Sequence, residues 1–205
     1  SRPAAGFVVP ARATPVGRGR VSRTLAHVAL PWGAPLTVDD VWALPGDGHR
    51  YELVDGVLLV TPAPSRAHQR AVARLVVALS AAAGDAFEVL PAPFDWLVSS
   101  STLFQPDLIV ARRGDVGEKR LEQAPLLAVE VQSPSTSSID RGTKRIKYEQ
   151  YGVVAYWLVD PLEPGLVVLH LVDGAYREVA RVVGGEAYVA DFPFPVTVAP
   201  DALVS

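Results

Sequence analysis

Three carboxylates occupy places where solvation alone does not explain a charge. Glu130 lies in "LLAVEVQSPST" (126–136), a run otherwise as apolar as a buried strand; Glu52 lies in "YELVDGVLLV" (51–60); and Asp107 follows Pro106 in "QPDLIVA". A carboxylate taken out of water is costly unless a partner or a metal compensates it. Strand alternation sends Leu127, Val129 and Val131 to one face and Ala128, Glu130 and Gln132 to the other. Two or three carboxylates converging on one point repel unless a divalent cation joins them, and oxygen ligands at about 2.0 to 2.1 Å are what Mg²⁺ takes. Such a cation polarises a phosphodiester and lowers the pKa of its bound water. The competing readings are structural: Glu130 paired with an internal arginine, Asp107 capping a turn after Pro106, and Glu52 in a structural ion pair.

Other site chemistries are not supported. GxxxxGK[ST], GxGxxG and HExxH are missing, as is the GxSxG elbow of a serine nucleophile. His27, His49, His68 and His170 are too scattered for a histidine-rich metal site, and with no cysteine there are neither disulfides nor thiolate ligands.

The elements that must position these residues follow from spacing. "TVDDVWAL" predicts a short helix with Thr37 as N-cap and Asp40 in a capping-box relation. Asp55-Gly56 between two apolar runs predicts a two-residue hairpin turn, pairing Val54 with Val57, Leu53 with Leu58 and Glu52 with Leu59. Val72, Leu75, Val76 and Leu79 recur at helical spacing within 65–83, with Gly84 as C-cap. Strands are expected at about 86–90, 94–98, 107–111 and 126–131, then a helix from about Asp140 to Tyr151 and several C-terminal strands, one pair turning at Asp173-Gly174. Strands with two main helices predict an α/β or α+β domain with a largely antiparallel or mixed sheet.

Composition fits one globular domain: 205 residues, 49% hydrophobic and 20% charged. No apolar run reaches the roughly 20 residues of a membrane span, and residues 1–36 lack the h-region of a signal peptide, so a cytoplasmic protein is expected. No methionine occurs, so Ser1 is expected to follow a removed or omitted start. Arg2, Arg12, Arg18, Arg20 and Arg23 precede the first acid, Asp39, in a stretch with five prolines. The division expected is a basic arm over 1–36, with one strand near "TLAHVAL", and a domain over 37–205. Apolar strands and tryptophans near the termini suggest a homodimer.

"QPDLIVA", 22 residues between Asp107 and Glu130, and then "VEVQ" resemble the PD-(D/E)XK nuclease core. Taken in order with "YELVDGVLLV", "PSRAHQ", "VEVQSPST" and "DRGTKRIKYEQYGVVAYWLVDP", these motifs resemble the Uma-two family of restriction-endonuclease-like proteins over roughly residues 37–200. The resemblance implies a restriction-endonuclease-like fold: a four- or five-stranded mixed sheet flanked by helices, with additional C-terminal antiparallel strands. It also implies Mg²⁺ or Mn²⁺ held by Glu52, Asp107 and Glu130, and hydrolysis of nucleic acid, with DNA favoured over RNA. The superfamily's lysine stands two residues after the acid, where this chain has Gln132, and glutamine supplies neither positive charge nor a proton acceptor. Lys144 matches the lysine of the family's "DRGxK" stretch, and its spacing places it on one helix face with Tyr148 and Tyr151; Lys147 is the runner-up. His68 aligns with a family histidine and is expected, with Gln132, Ser133 and Lys147, to meet the substrate; ordinary capping is the alternative for Ser133. Core-satisfied or solvated side chains are the alternative for His68 and the lysines. For the whole chain, the alternative is a nuclease-fold binding or assembly module without catalysis.

Overall fold

The computed structural model describes residues 34–61, 63–134 and 136–205, so the strand expected near "TLAHVAL" lies outside the described residues. Local chemistry fixes the first elements. Thr37 and Asp40 form the reciprocal capping box of α1 (Val38–Trp42). Asp55 and Gly56 take positive φ, 50° and 80°, and join β1 (Arg50–Val54) to β2 (Val57–Thr61) in the register expected from a two-residue turn. A Cβ at Gly56 would lie 2.6 Å from that of Pro35, so the close approach of the entering chain also demands glycine there. Helix α2 (Arg66–Ala83) starts on Ser65, whose hydroxyl accepts from the His68 amide, and stops at Gly84, φ 61°. Its buried stripe is Ala71, Val72, Leu75, Leu79 and Ala83.

The chain continues through β3 (Phe87–Pro91), β4 (Asp95–Ser99), β5 (Thr102–Phe104), β6 (Leu108–Arg112), β7 (Arg120–Leu121) and β8 (Leu127–Val131). A helical segment follows in three parts: α3 (Ser137–Ile139), a π-helical turn over Asp140–Lys144, and α4 (Arg145–Gln150). The chain closes with β9 (Ala155–Asp160), β10 (Gly165–Val172), β11 (Ala175–Val183), β12 (Tyr188–Ala190), β13 (Val196–Val198) and α5 (Pro200–Val204).

Six strands form a mixed sheet in the order β11-β10-β9-β8-β6-β3. Only β8 and β9 run parallel, and the helical segment is the crossover that parallel neighbours require. Alternation gives this sheet two faces. Leu108, Val110, Leu127, Val129, Trp157 and Val159 pack under α2 and α5, whereas Ile109, Ala128, Tyr156 and Leu158 face Trp96, Phe104 and Tyr148. The second face is covered by α4 and by a separate five-stranded sheet, β2-β1-β5-β4-β7. Glu130 shares that second face, as its alternation with Val129 and Val131 requires.

The expected mixed sheet flanked by helices, with C-terminal antiparallel strands, is present, but with six strands rather than four or five. The second sheet is an addition to the expectation: β5 and β7 are three and two residues long, too short to show a period. Among the described residues, no helix is long and apolar enough to cross a membrane.

Candidate active site

Asp107 and Glu130 meet because β6 and β8 are antiparallel neighbours. Leu108 pairs with Val129, which places the residue before Leu108 opposite the one after Val129. Glu52 comes from β1 of the other sheet, and Lys144 comes from the last residue of the π-helical turn. All four are buried, none more than 4% exposed.

Lys144 binds carboxylates from two layers at once: its Nζ donates to Glu130 Oε1 and lies against Glu52 Oε2, both at 2.9 Å. Glu130 Oε1 also accepts from the Tyr148 hydroxyl at 2.7 Å, and Glu52 Oε1 accepts from the Gln105 amide at 2.9 Å. Asp107 is held from three sides. Arg50 Nη1 donates to Oδ1 at 2.7 Å, while His68 Nε2 and the Val131 amide donate to Oδ2 at 3.0 and 2.8 Å. A fourth carboxylate, Asp140, lies one helical step before Lys144 and is 2% exposed.

The charges do not balance. Glu52, Asp107, Glu130 and Asp140 all act on Lys144. Lys144 and Arg50 are the permanent cations among these side chains, so fully ionised carboxylates exceed them by two charges with His68 neutral. The titration behaviour follows. Burial, reinforced by Asp107, Asp140 and Glu52, raises the Glu130 carboxyl well above the usual range although Lys144 opposes it. Burial likewise pushes Asp140 up to about 6 against the pull of Lys144. Burial works against the charged form of Lys144, yet Glu130 and Glu52 outweigh it and its pKa is raised. Asp107 goes the other way: burial opposes its ionised form, but the His68 hydrogen bond and the Arg50 charge hold it below the usual carboxylate range.

Arg50, His68, Asp107, Glu130, Asp140 and Lys144 line a cleft of about 300 Å³, with Ser133 also in its wall. Glu52 is not in that lining; its oxygens are engaged by Lys144 and Gln105. Among the described residues Glu130 Oε2 accepts no hydrogen bond, and Asp107 Oδ1 has one lone pair left beside the Arg50 contact. Buried all-oxygen donors with surplus negative charge fit a hard divalent cation in chemical type. Among the described residues, however, no three histidine, aspartate or glutamate side chains are arranged to grip one as they stand.

Of the residues singled out from sequence, Glu52, Asp107, Glu130, Lys144, His68 and Ser133 lie at or beside this cleft. Gln132 and Lys147 are not in its lining. Gln132 turns to Arg141, whose Nη2 donates to its Oε1 at 2.6 Å in an adjoining cleft. Lys147 pairs with Asp55 at 2.6 Å, at the tip of the β1–β2 hairpin. Among the described residues four buried side-chain atoms have no partner, and two of them, His68 Nδ1 and Gln132 Nε2, belong to this set, each a cost of about 1 to 3 kcal/mol if left dry. Sequence reasoning missed Arg50, Asp140 and Arg141. The available signals were Arg50 two residues before Glu52, hence on the same strand face, and Asp140 four before Lys144, hence on the same helix face. Arg141 carried no signal, because only the folded segment brings it to Gln132.

Residues 38–199 match the model of the family Uma2, described as "Putative restriction endonuclease". Among solved structures, one titled as a putative nuclease belonging to DUF820 from Anabaena variabilis ATCC 29413 is similar, with a TM-score of 0.65 at 17% identity. The match covers 83% of this chain and 98% of that one, and at this identity it shows a shared fold. No curated protein matches the chain.

Proposed function

The chain belongs to the Uma-two family of restriction-endonuclease-like proteins, and from that premise we propose that it is a divalent-metal-dependent endonuclease acting on DNA. One observation carries the metal dependence: four buried carboxylates share two permanent cations, so that Glu130 and Asp140 favour their protonated forms without metal, and one Mg²⁺ or Mn²⁺ ion would balance the fully ionised set. In this reading Asp107 and Glu130, which line the cleft, hold the ion. The bound ion supplies polarisation of the phosphodiester and a lowered pKa for its water.

The chain's own residues do the rest. Arg50, His68 and the Val131 amide fix both oxygens of Asp107 and keep it ionised as a ligand. Lys144 places a positive charge beside Glu130, where the Gln132 position cannot, and stabilises charge developing on the phosphoryl oxygens. Glu52 and Tyr148 orient the reacting groups indirectly: Glu52 fixes the Lys144 ammonium, and Tyr148 fixes one oxygen of Glu130. Ser133, in the cleft wall, is placed to meet substrate. Cutting both strands of a duplex calls for two such sites. The edge strand β2, with Val57 and Val60 62% and 52% exposed, offers a surface for a homodimer.

The test is incubation of the purified chain with DNA and RNA, each with Mg²⁺, Mn²⁺ or EDTA, beside Asp107→Asn. Metal-dependent cleavage lost in the variant is expected. Cleavage that survives Asp107→Asn, or no cleavage of any substrate with either ion, defeats the reading.

A further inference from the structure

We propose that Arg141, held in a socket by Gln132, binds the phosphate next to the scissile one, making the cleft beside the carboxylate cluster a second phosphate subsite for a nucleic-acid strand. This rests on the nuclease reading above and adds to it what the strand touches on leaving the cluster.

A guanidinium only donates, so the 2.6 Å contact from Arg141 Nη2 fixes the facing end of the Gln132 amide as its oxygen. The amide nitrogen is then left buried and, among the described residues, without a partner. A glutamate at this position would grip the arginine more strongly and leave no orphaned donor, but it would cancel the charge. A neutral amide holds the guanidinium in place and leaves its charge uncancelled. Arg141 is exposed and, among the described residues, forms no ion pair.

Three other charged groups line this cleft, about 400 Å³ in volume: Arg181, Asp160 and Glu163. Arg181 is clasped by Glu178 through bonds of 2.7 and 2.9 Å. Asp160 Oδ1 accepts from the Leu162 and Glu163 amides, and the Glu163 side chain is exposed. Among the described residues lining it, Arg141 is therefore the cation that no carboxylate contacts.

Position supplies the second half. Gln132 lies two residues beyond Glu130, about 6.6 Å along an extended strand, a distance on the scale of one nucleotide of backbone. The two clefts adjoin: Asp140 and Ser133 line the first, and their sequence neighbours Arg141 and Gln132 line the second. A strand whose scissile phosphate sits at Asp107 and Glu130 passes next to Arg141.

The experiment measures binding of fluorescent duplex and single-stranded DNA against salt, with Ca²⁺ as the divalent cation, for the full chain and four variants. Arg141→Ala should lower the slope of log affinity against log salt by about one, the signature of one lost phosphate contact. Gln132→Glu should do the same while melting at the parent temperature, because it keeps the arginine in place but neutralises it. Arg141→Lys should retain the slope, and Gln132→Leu should fall between. A neutral methylphosphonate beside the scissile bond should weaken binding by the parent and not further weaken binding by Arg141→Ala. Parent-like slopes in Arg141→Ala and Gln132→Glu would overturn the proposal and leave the nuclease reading intact, as would a methylphosphonate effect that does not depend on position. If the parent chain binds neither form of DNA, both readings fall.

Discussion

Replacing Lys144 by methionine is the sharpest perturbation of the cluster, because it keeps the length and apolar stem of the side chain and removes only the ammonium. The ammonium lies 2.9 Å from oxygens of both Glu130 and Glu52, each at most 2% exposed. Removing one partner from a buried ion cluster strands the others, at a cost of about 3 to 5 kcal/mol. Against a total stability of about 5 to 15 kcal/mol this is a large fraction. At roughly 2 to 4 °C per kcal/mol for a chain of this size, it predicts a fall in melting temperature of about 6 to 20 °C. The sign of the pH dependence separates charge from packing. Lys144 is the group that opposes the upward shift of Glu130, so without it that carboxyl binds its proton more tightly still in the folded state. Stability of the variant then falls as pH rises from the unfolded glutamate value, about 4.3, through the raised folded value. Thermal melts in EDTA should show a large deficit at pH 8 and a smaller one at pH 5. Adding Glu130→Gln to the variant should recover part of the loss, since neutral replacements on both sides strand fewer charges. A variant within about 2 °C of the parent at pH 8 would show that Lys144 does not neutralise this cluster, by the same conversion. Equal deficits at both pH values would assign the loss to packing.

Tyr148→Phe removes the hydroxyl that donates to Glu130 and should cost about 1.5 to 3 kcal/mol by urea denaturation, the range for a hydrogen bond to a charged group; a neutral result would mean that water replaces it. Asp140, raised by burial to about 6, keeps its proton in the folded state where the unfolded chain has lost it, so stability of the metal-free protein falls as pH rises from about 4 to 6. In Asp140→Asn that part of the decline should vanish, and an unchanged pH profile would remove Asp140 from the cluster. Mn²⁺ at about 100 times its dissociation constant should stabilise the chain by about 2.7 kcal/mol, and calorimetry should find no binding heat in Glu130→Gln; equal heats in parent and variant would place the ion elsewhere.

What could be read from the sequence was local. The capping box of α1, the Asp55-Gly56 register and the span of α2 depend on residues within a few positions of one another, and the structure has all three as expected. The face shared by Glu130 and Gln132 followed from period two alone, as did the common face of Lys144 and Tyr148 from helical spacing. The pairing of β1 with β5, which brings Glu52 to the cluster, rests on contacts about 50 residues apart, such as Leu53 with Leu103, that no periodicity reports. The π-helical turn was equally silent. Its sequence, "DRGTK", reads as ordinary helix with one glycine, yet it buries both Asp140 and Lys144 against the sheet. Such turns are rare and concentrate at functional sites, so its place beside the cluster supports the reading of this region as a site.

A lysine on the crossover helix rather than on the strand also bears on what the cluster does for the fold. A lysine at position 132 would share β8 with Glu130 and would neutralise a carboxylate of its own strand. Lys144 instead reaches from the helix to Glu130 on the six-stranded sheet and Glu52 on the five-stranded one, so a single ammonium joins three elements. The carboxylates of the two sheets repel until that ammonium arrives, and the ammonium has no comparable partners until both sheets are in place. Assembly of the cluster and closure of the layers are thereby one event, and a substitution at Lys144 acts on both together. Gln132 is released from that double duty. Its amide sits past the end of β8, where its backbone N–H still donates to Val159 at 2.7 Å, and its side chain is free to hold Arg141. With glutamine at position 132, the cluster keeps its cation from the helix, and the neighbouring cleft holds a second one on a neutral amide.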